Sequence, residues 1–425
     1  MRRVAVVGGG IAGMGAAWRL SQQGCEVTLF EAGDYLGGHT QTHDIALQGR
    51  HHALDTGFIV FNLQHYPLLT ALFDTLGVTS QPTTMSFSVR DDRNGLEYNA
   101  GTLGGLFCQK RNLVSPRFWR MLGDLRRFYR EAPTLLSSDA ASPTLGEYLQ
   151  TQGYSDVFRD DHLVPMASAL WSSPSETILA FPARHLVAFM ANHHMLQVTG
   201  RPEWRVVRGG SQRYVDALRQ RWTVDLRLSA PVRTVRRYAG GVSLQLDDGV
   251  QRFDDVVLAC HADDALALLS DADEAERVVL SGITYQPNEV VLHTDASLLP
   301  RRRAAWAAWN AHVPRRADAP CSVSYWMNAL QSLDAPVPFI VTLNPELQPA
   351  EDKVLRRLHY RHPHQTHASV AAQARLSQIQ GQRSTFFAGA GWGFGFHEDG
   401  LRSGYAAADA VLSQSQSQSH LGAVA

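Results

Sequence analysis

An α/β protein is predicted, with a Rossmann-type domain assembled from separated segments and interleaved with a mixed α+β domain, and three observations carry that expectation. The chain opens on the order strand, glycine turn, helix, strand. Matching strand and helix segments return far downstream, near 205–260 and 380–404. Its 425 residues also exceed what one ordinary core supports.

Taken in order, Arg3 to Val7 is β-branched and apolar, a fully buried parallel strand, and Ile11 to Gln22 reads as a helix ending near Gly24. Met1-Arg2-Arg3 before an apolar run superficially resembles a secretory leader, but Gly8, Gly9, Gly10 and Gly13 cut the run, and strand, turn and helix explains it better. In Gly8-Gly9-Gly10-Ile11-Ala12-Gly13 the first motif glycine, Gly8, makes the tight turn. Gly10 admits a pyrophosphate to the backbone, and Gly13 lets the helix pack closely on the strand. Ile11 and Ala12 open the helix, whose free N–H groups and partial positive charge suit a diphosphate. The second strand, Glu26 to Phe30, ends at Glu31, where an acid accepts hydrogen bonds from adenosine ribose hydroxyls and disfavours a 2′-phosphate.

Beyond Glu31 the chain reads Ala32-Gly33-Asp34-Tyr35-Leu36-Gly37-Gly38-His39-Thr40, then Leu54-Asp55-Thr56-Gly57. Here it resembles the flavin amine oxidase and phytoene desaturase superfamily, which carries an acid, a glycine pair and a basic residue after the second strand. The resemblance implies a GR2-like fold and non-covalent FAD. It also implies that His39, standing where relatives often have arginine, approaches the diphosphate. Three later segments match in order. Arg208-Gly209-Gly210-Ser211 with Tyr214 and Leu218 resembles the element returning the chain to the FAD domain. Val232 lies where relatives contact adenine, and Phe253 to Cys260 looks like the strand closing that domain. Thr385 to Gly389-Ala390, with Glu398-Asp399-Gly400-Leu401, resembles the C-terminal flavin motif, in which a helix N-terminus faces the flavin N1–C2=O edge.

The expected FAD domain is therefore 1–75, 205–285 and 380–412, with a substrate domain from 76–204 and 286–379. The Ser-Gln alternation within 413–425 has too little apolar surface to fold and is expected as a disordered tail. Ser115-Pro116 predicts a helix start, with Phe118, Met121, Leu122 and Leu125 on one face and five arginines between Arg117 and Arg130. That helix reads either as a core helix with a solvated arginine face, the preferred reading, or as a basic amphipathic helix on anionic lipid. Arg301-Arg302-Arg303 with Trp306 and Trp309 poses the same choice.

A formal net charge of -1 supplies no basic field for nucleic acid, and 44% hydrophobic composition is that of a soluble globular protein. Four scattered cysteines suggest neither disulfides nor zinc. His359, His362, His364 and His367 surround Pro363 in an expected loop without ligand spacing, so no metal is expected. The cysteine usage fits a reducing cytoplasm, and no apolar stretch approaches the ~18 residues of a membrane span, so the expectation is a cytoplasmic protein, at most peripheral to the inner face of the membrane.

Many amine oxidases of the superfamily use a lysine near flavin N5. The matching stretch, Tyr285 to His293, has none, and Lys110 and Lys353 are the only lysines. Phe396 to Leu401, Leu54 to Asn62 and Trp204 to Gly210 are similar to one bacterial subgroup that accompanies cyclopropane-fatty-acyl synthases and includes a methylated fatty acyl desaturase. The resemblance implies hydride transfer to flavin N5 from an unsaturated or methyl-branched acyl or phospholipid substrate, in a tunnel lined by residues such as Leu170, Trp171, Tyr325, Trp326 and Met327. His397 and Glu398 are the acid/base candidates by position. Alternatives are an amine or polyene oxidase, and a non-catalytic flavin-binding partner of a cyclopropane-fatty-acyl-synthase-like methyltransferase.

Overall fold

The computed structural model describes residues 1–137, 141–171, 173–316 and 321–422, with side chains up to residue 414. Its organising element is a five-stranded parallel sheet in the order Val224–Arg227, Glu26–Phe30, Arg3–Val7, Asp255–Leu258, Thr385–Phe387. Both faces of the central strand are covered, so Val4 to Val7 are all apolar and buried. Val4 and Val6 face one core, packed by the helices Ile11–Gln22, Pro67–Leu76 and Gln212–Arg221 and the C-terminal helix. Ala5 and Val7 face the other, closed by the antiparallel meander Thr234–Tyr238, Gly241–Leu246, Gly249–Phe253. The expected single strand from Phe253 to Cys260 is thus divided. Phe253 ends the meander, and Asp255–Leu258 enters the parallel sheet, where Asp255 is fully buried and paired with Arg2.

The second lobe is built on a seven-stranded sheet, in the order Val354–Pro363, Tyr285–His293, Ile340–Leu343, Ser322–Trp326, Trp309–Val313, Phe87–Asp91, Leu96–Asn99. A helical layer between 116 and 192 packs around Phe128, Phe158, Phe181 and Phe189. In the helix Pro116–Glu131, the Ser115 hydroxyl accepts from Phe118 N at 3.3 Å and Pro116 occupies the first turn. Phe118, Met121 and Phe128 are buried. Arg117 is held by Asp161 and Arg127 by Glu131, each at 2.8 Å. The second basic cluster stays at the surface but is engaged by the protein: Arg303 lies 3.7 Å from the Trp306 ring centroid, Arg301 pairs with Asp92 and Arg302 with Glu97.

Two expectations change. His359 and His362 lie in the strand Val354–Pro363 rather than in a loop. The C-terminal helix, His397–Gly422, runs through most of the segment expected as a disordered tail, because extending an existing helix avoids the nucleation cost that defeats an isolated polar segment. Residues 423–425 lie outside the described residues.

The C-terminal helix crosses Ile11–Gln22 at glycine. A Cβ on Gly404 would stand 2.1 Å from the Ala12 carbonyl oxygen, so the two backbones touch without side chains between them. Gly404→Ala is therefore expected to destabilise the protein by about 1–3 kcal/mol through overpacking. Gly123→Ala, in a helix with open space at that position, should instead gain up to about 1 kcal/mol. Urea unfolding of the two variants checks the contrast; equal effects would refute the close crossing.

Candidate functional site

A cavity of about 1190 Å³ runs from the glycine turn, between the lobes, into the helical layer. It exceeds the roughly 300–1,000 Å³ of an ordinary small-ligand pocket, so it has room for a cofactor and a second molecule. At one end Gly8, Gly10, Ile11, Ala12, Glu31, Ala32 and Val232 line it. Gly8 takes φ +110°, which a residue with a Cβ rarely adopts, and a Cβ there would lie 2.7 Å from Ala259 O. Gly10 has nothing within 4 Å of its Cβ position, so the backbone is open to the cavity at the glycine read as admitting a pyrophosphate. It is also the N-cap of Ile11–Gln22 and supplies no side-chain cap, leaving the first-turn N–H groups to a ligand.

Glu31 acts first on the protein itself. One carboxylate oxygen accepts from Gly9 N and the other from Gly33 N, both at 2.7 Å. An ionised carboxylate has further acceptor sites, so the pinned side chain still has lone pairs for ribose hydroxyls. Open glycine, uncapped helix and oriented acid together fit an adenine dinucleotide.

In the middle of the cavity Gly37, Gly38, His39, Thr56, Gly57, Gly389, Ala390 and His397 form the wall. Gly13, Thr40, Asp55, Asp399, Gly400 and Leu401 stand behind it. Gly13 has room only for hydrogen, because a Cβ would lie 1.9 Å from Gly8 O. Thr40 Oγ1 meets Tyr214 Oη at 2.6 Å. Asp399 accepts from Phe396 N at 3.1 Å and pairs with Arg402. Gly400 packs under Ile11, and Leu401 is fully buried in the core. Asp55 is fully buried and accepts from Ser211 N at 2.9 Å, Ser211 Oγ at 2.8 Å and Gln331 Nε2 at 3.1 Å. Burial pushes its carboxyl up to about 6 in spite of these bonds.

The two acid/base candidates separate. Glu398 accepts from Leu68 N and Leu69 N at 3.0 Å each, so its carboxylate caps the helix Pro67–Leu76 rather than the cavity. His397 does line the cavity, stacked on Phe58 with centroids 3.8 Å apart. Its Nε2 lies 2.8 Å from Tyr214 Oη and 3.2 Å from Thr40 Oγ1. Burial lowers its pKa to about 3, so it is a neutral, fixed ring and a poor base. The expected cation His39 is similarly neutral. Enclosed beside Tyr360 and His362, it is lowered to about 4 by burial and offers a buried, unpartnered Nε2 instead of a standing charge.

Beyond this waist the wall becomes apolar, with Met85, Leu106, Met121, Leu122, Leu125, Met166 and Leu170. Of the expected tunnel residues, Leu170, Trp171 and Tyr325 are present, but Trp326 and Met327 are not. Trp326 follows Tyr325 in a strand and so faces the opposite side, against Trp306 and Arg303, while Met327 is fully buried. Sequence reasoning missed Tyr360, whose hydroxyl meets Thr56 Oγ1 at 2.9 Å, and His162, whose Nδ1 meets Tyr98 Oη at 2.7 Å while its Nε2 has no partner. Only the tertiary fold brings them to the wall. No lysine lines the cavity, and Lys353 is engaged by Asp295 at 3.2 Å.

Eight histidines, His39, His162, His185, His193, His261, His293, His362 and His397, are held at about 3 to 4, in each case chiefly by burial. Their folded values lie below the ordinary 6.5, so the stability they contribute is present above pH 6.5 and lost as pH falls towards 4, by up to about 1.4 kcal/mol per pH unit each. Asp55, Asp161, Glu398 and Asp399, all raised by burial, act in the opposite sense but are fewer. Urea unfolding should therefore give a stability at pH 5.5 lower than at pH 7.5 by at least about 3 kcal/mol. Unchanged or greater stability at pH 5.5 would contradict the neutral interior.

Residues 11–303 match the family model described as flavin containing amine oxidoreductase. AofH of Mycobacterium tuberculosis, which carries the name of a flavin-containing monoamine oxidase, is 27% identical over 265 residues, covering 60% of this chain and 56% of AofH. The chain thus aligns with little more than half the length of that curated relative. Among solved structures, the CLA-producing fatty acid isomerase from P. acnes has a TM-score of 0.69 at 17% identity, over 95% of this chain and 97% of its own. Cyclohexylamine oxidase from Brevibacterium oxydans has a TM-score of 0.71 at 17% identity, over 98% and 99%. At such identity these structures share the fold. With the match to the family model extending over more than half its length, the chain belongs to the flavin containing amine oxidoreductase family, and FAD is the cofactor its cleft takes.

Proposed function

We propose that this chain is an FAD-dependent oxidoreductase, a desaturase or dehydrogenase acting on unsaturated or methyl-branched fatty acyl chains. The observation that carries the reading is the character of the cavity beyond the waist. It is apolar, free of lysine and long enough to continue from the cofactor stretch into the helical layer. Methionine and leucine side chains there exclude water and conform to a flexible chain, and Glu203, the carboxylate lining that end, is exposed and paired with Arg205 rather than enclosed to offset the desolvation of a cationic amine. The fold, shared with a fatty acid isomerase and an amine oxidase alike, is compatible with the reading, and the cavity wall is what favours it.

In this proposal Gly8, Gly10 and the first turn of Ile11–Gln22 receive the diphosphate, Glu31 the ribose hydroxyls and Val232 the adenine. Gly57, Gly389, Ala390 and His397 frame the ring. Bound FAD supplies the hydride acceptor. The protein's part is to hold an acyl C–H at the waist, exclude water and keep the surrounding imidazoles uncharged. His397, fixed by Phe58, Tyr214 and Thr40, orients that surface and is a positioning residue.

Anaerobic mixing of the flavin-loaded protein with monounsaturated or methyl-branched phospholipids and, separately, with a panel of amines tests the reading. Loss of absorbance near about 450 nm with lipid alone, accompanied by a dehydrogenated acyl product, is the expected result. Bleaching by amines alone would overturn the acyl assignment, and bleaching by neither would favour a non-catalytic flavin-binding partner.

Leu125→Trp should fill the distal chamber and leave the glycine-turn end untouched. Flavin content and thermal midpoint are expected to stay near wild type, while reduction by long acyl chains slows by at least about tenfold, the rate equivalent of overpacking by about 1.4 kcal/mol. An unchanged rate with long chains would mean that the chamber is not the acyl site.

A further inference from the structure

We propose that the segment 101–123 docks on an anionic lipid bilayer and places the cavity mouth against it. Four of the large hydrophobic side chains most exposed on the described surface lie in this one stretch: Leu103 at 77%, Leu113 at 51%, Val114 at 81% and Trp119 at 51%. They belong to one patch. Trp119 Nε1 donates to Leu113 O at 2.8 Å, the Trp119 ring lies 5.8 Å from Phe107, and Asn112 Nδ2 reaches Leu106 O at 3.5 Å, joining the short helix Leu103–Leu106 to the following turn.

Charge complementarity selects the occupant. From Gly101 to Gly123 there is no aspartate or glutamate, whereas Lys110, Arg111, Arg117 and Arg120 are all present and exposed. Arg117 is held by Asp161 and Arg111 by the Gly95 carbonyl and Gln109, so Lys110 and Arg120 are the cations best placed to meet lipid phosphates. Exposed leucine, valine and tryptophan among cations is the composition of a segment that lies in a headgroup layer, its apolar side chains in the acyl boundary and its cations at the phosphates. The patch is also continuous with the cavity. Leu106 of the short helix, and Met121 and Leu122 of the helix that carries Trp119 and Arg120, line it, and Val198, 80% exposed, lines it as well. A chain leaving a bilayer at this patch would meet apolar wall without crossing water. No described helix is long and apolar enough to cross a membrane, so the attachment is to one face.

The test is co-sedimentation of the flavin-loaded full chain with vesicles of phosphatidylcholine alone, or mixed with phosphatidylglycerol. Wild type is expected to sediment with the anionic vesicles and to be released by salt. Leu103→Asp with Val114→Asp should weaken binding by at least about tenfold, and each cation lost in Lys110→Glu or Arg120→Glu by about fivefold. Val250→Asp, at an exposed site on the remote meander, should change nothing. An unchanged flavin-to-protein ratio and thermal midpoint establish that the variants fold. The proposal fails if wild type stays in the supernatant with anionic vesicles, or if the double variant sediments like wild type. It also fails if, without lipid, the double variant separates a dimer into monomers, which would make the patch an interface between copies of the chain. Binding is read without turnover, so it stands or falls separately from the acyl assignment.

Discussion

A single buried carboxylate ties the architecture together. Asp55 ends one arm of a two-stranded ribbon. It binds Thr42 on the other arm, Ser211 at the start of the helix that returns the chain to the parallel sheet, and Gln331 in the second lobe. An ionised carboxylate in a dry interior is unfavourable unless nearly every lone pair is met, and its upward-shifted pKa records that tension. Three segments far apart in sequence must therefore arrive with their donors correctly placed. Once they do, the spacing of the lobes is set, and with it the width of the cavity between them.

This arrangement explains which parts of the site were legible in the sequence. The glycine turn and the Ser115 cap are local devices: motif spacing encodes the backbone geometry, and both form where the sequence puts them, while the Glu31 carboxylate, read for a ribose, is bound by Gly9 N and Gly33 N. Asp55 and Thr40 stand in motifs that the resemblance assigns to the cofactor, and Glu398 in one assigned to acid/base work; in the structure the side chains of all three bind protein groups. Motif spacing says that a polar group is needed, not whether it faces a ligand or a neighbouring helix. Glu398 illustrates the point, because its two donors, Leu68 N and Leu69 N, come from a helix some 330 residues earlier in the chain. His162 and Tyr360 left no local trace, since each lines the cavity only through tertiary packing.

The interior is polar in composition yet nearly uncharged in its middle section. Imidazoles at the waist are held neutral by enclosure, and the hydroxyls of Thr56, Tyr360 and Tyr214 engage one another or a neighbouring ring. Such a wall can orient a planar ring through hydrogen bonds without imposing a field of its own. The charged residues of the wall are Glu31, Asp264 and Arg361, the last two paired, and, at the other end, Arg201 and Glu203. An apolar molecule in the intervening stretch meets surfaces that neither attract nor repel it electrostatically, leaving shape and dispersion to decide its fit.

The parallel sheet also has a temporal side. Its central strand comes from the first seven residues and its outermost from Thr385–Phe387, while the C-terminal helix must seat glycine against the helix of the opening turn. Contacts of such sequence separation make for slow folding, since long loops must close before the pairings reward them. During synthesis the glycine turn emerges first but lacks its closing strand and helix until nearly four hundred residues have followed. Until then the apolar face that the last helix will cover stays open, and it is at this stage that the nascent chain is most exposed to aggregation and most in need of a chaperone.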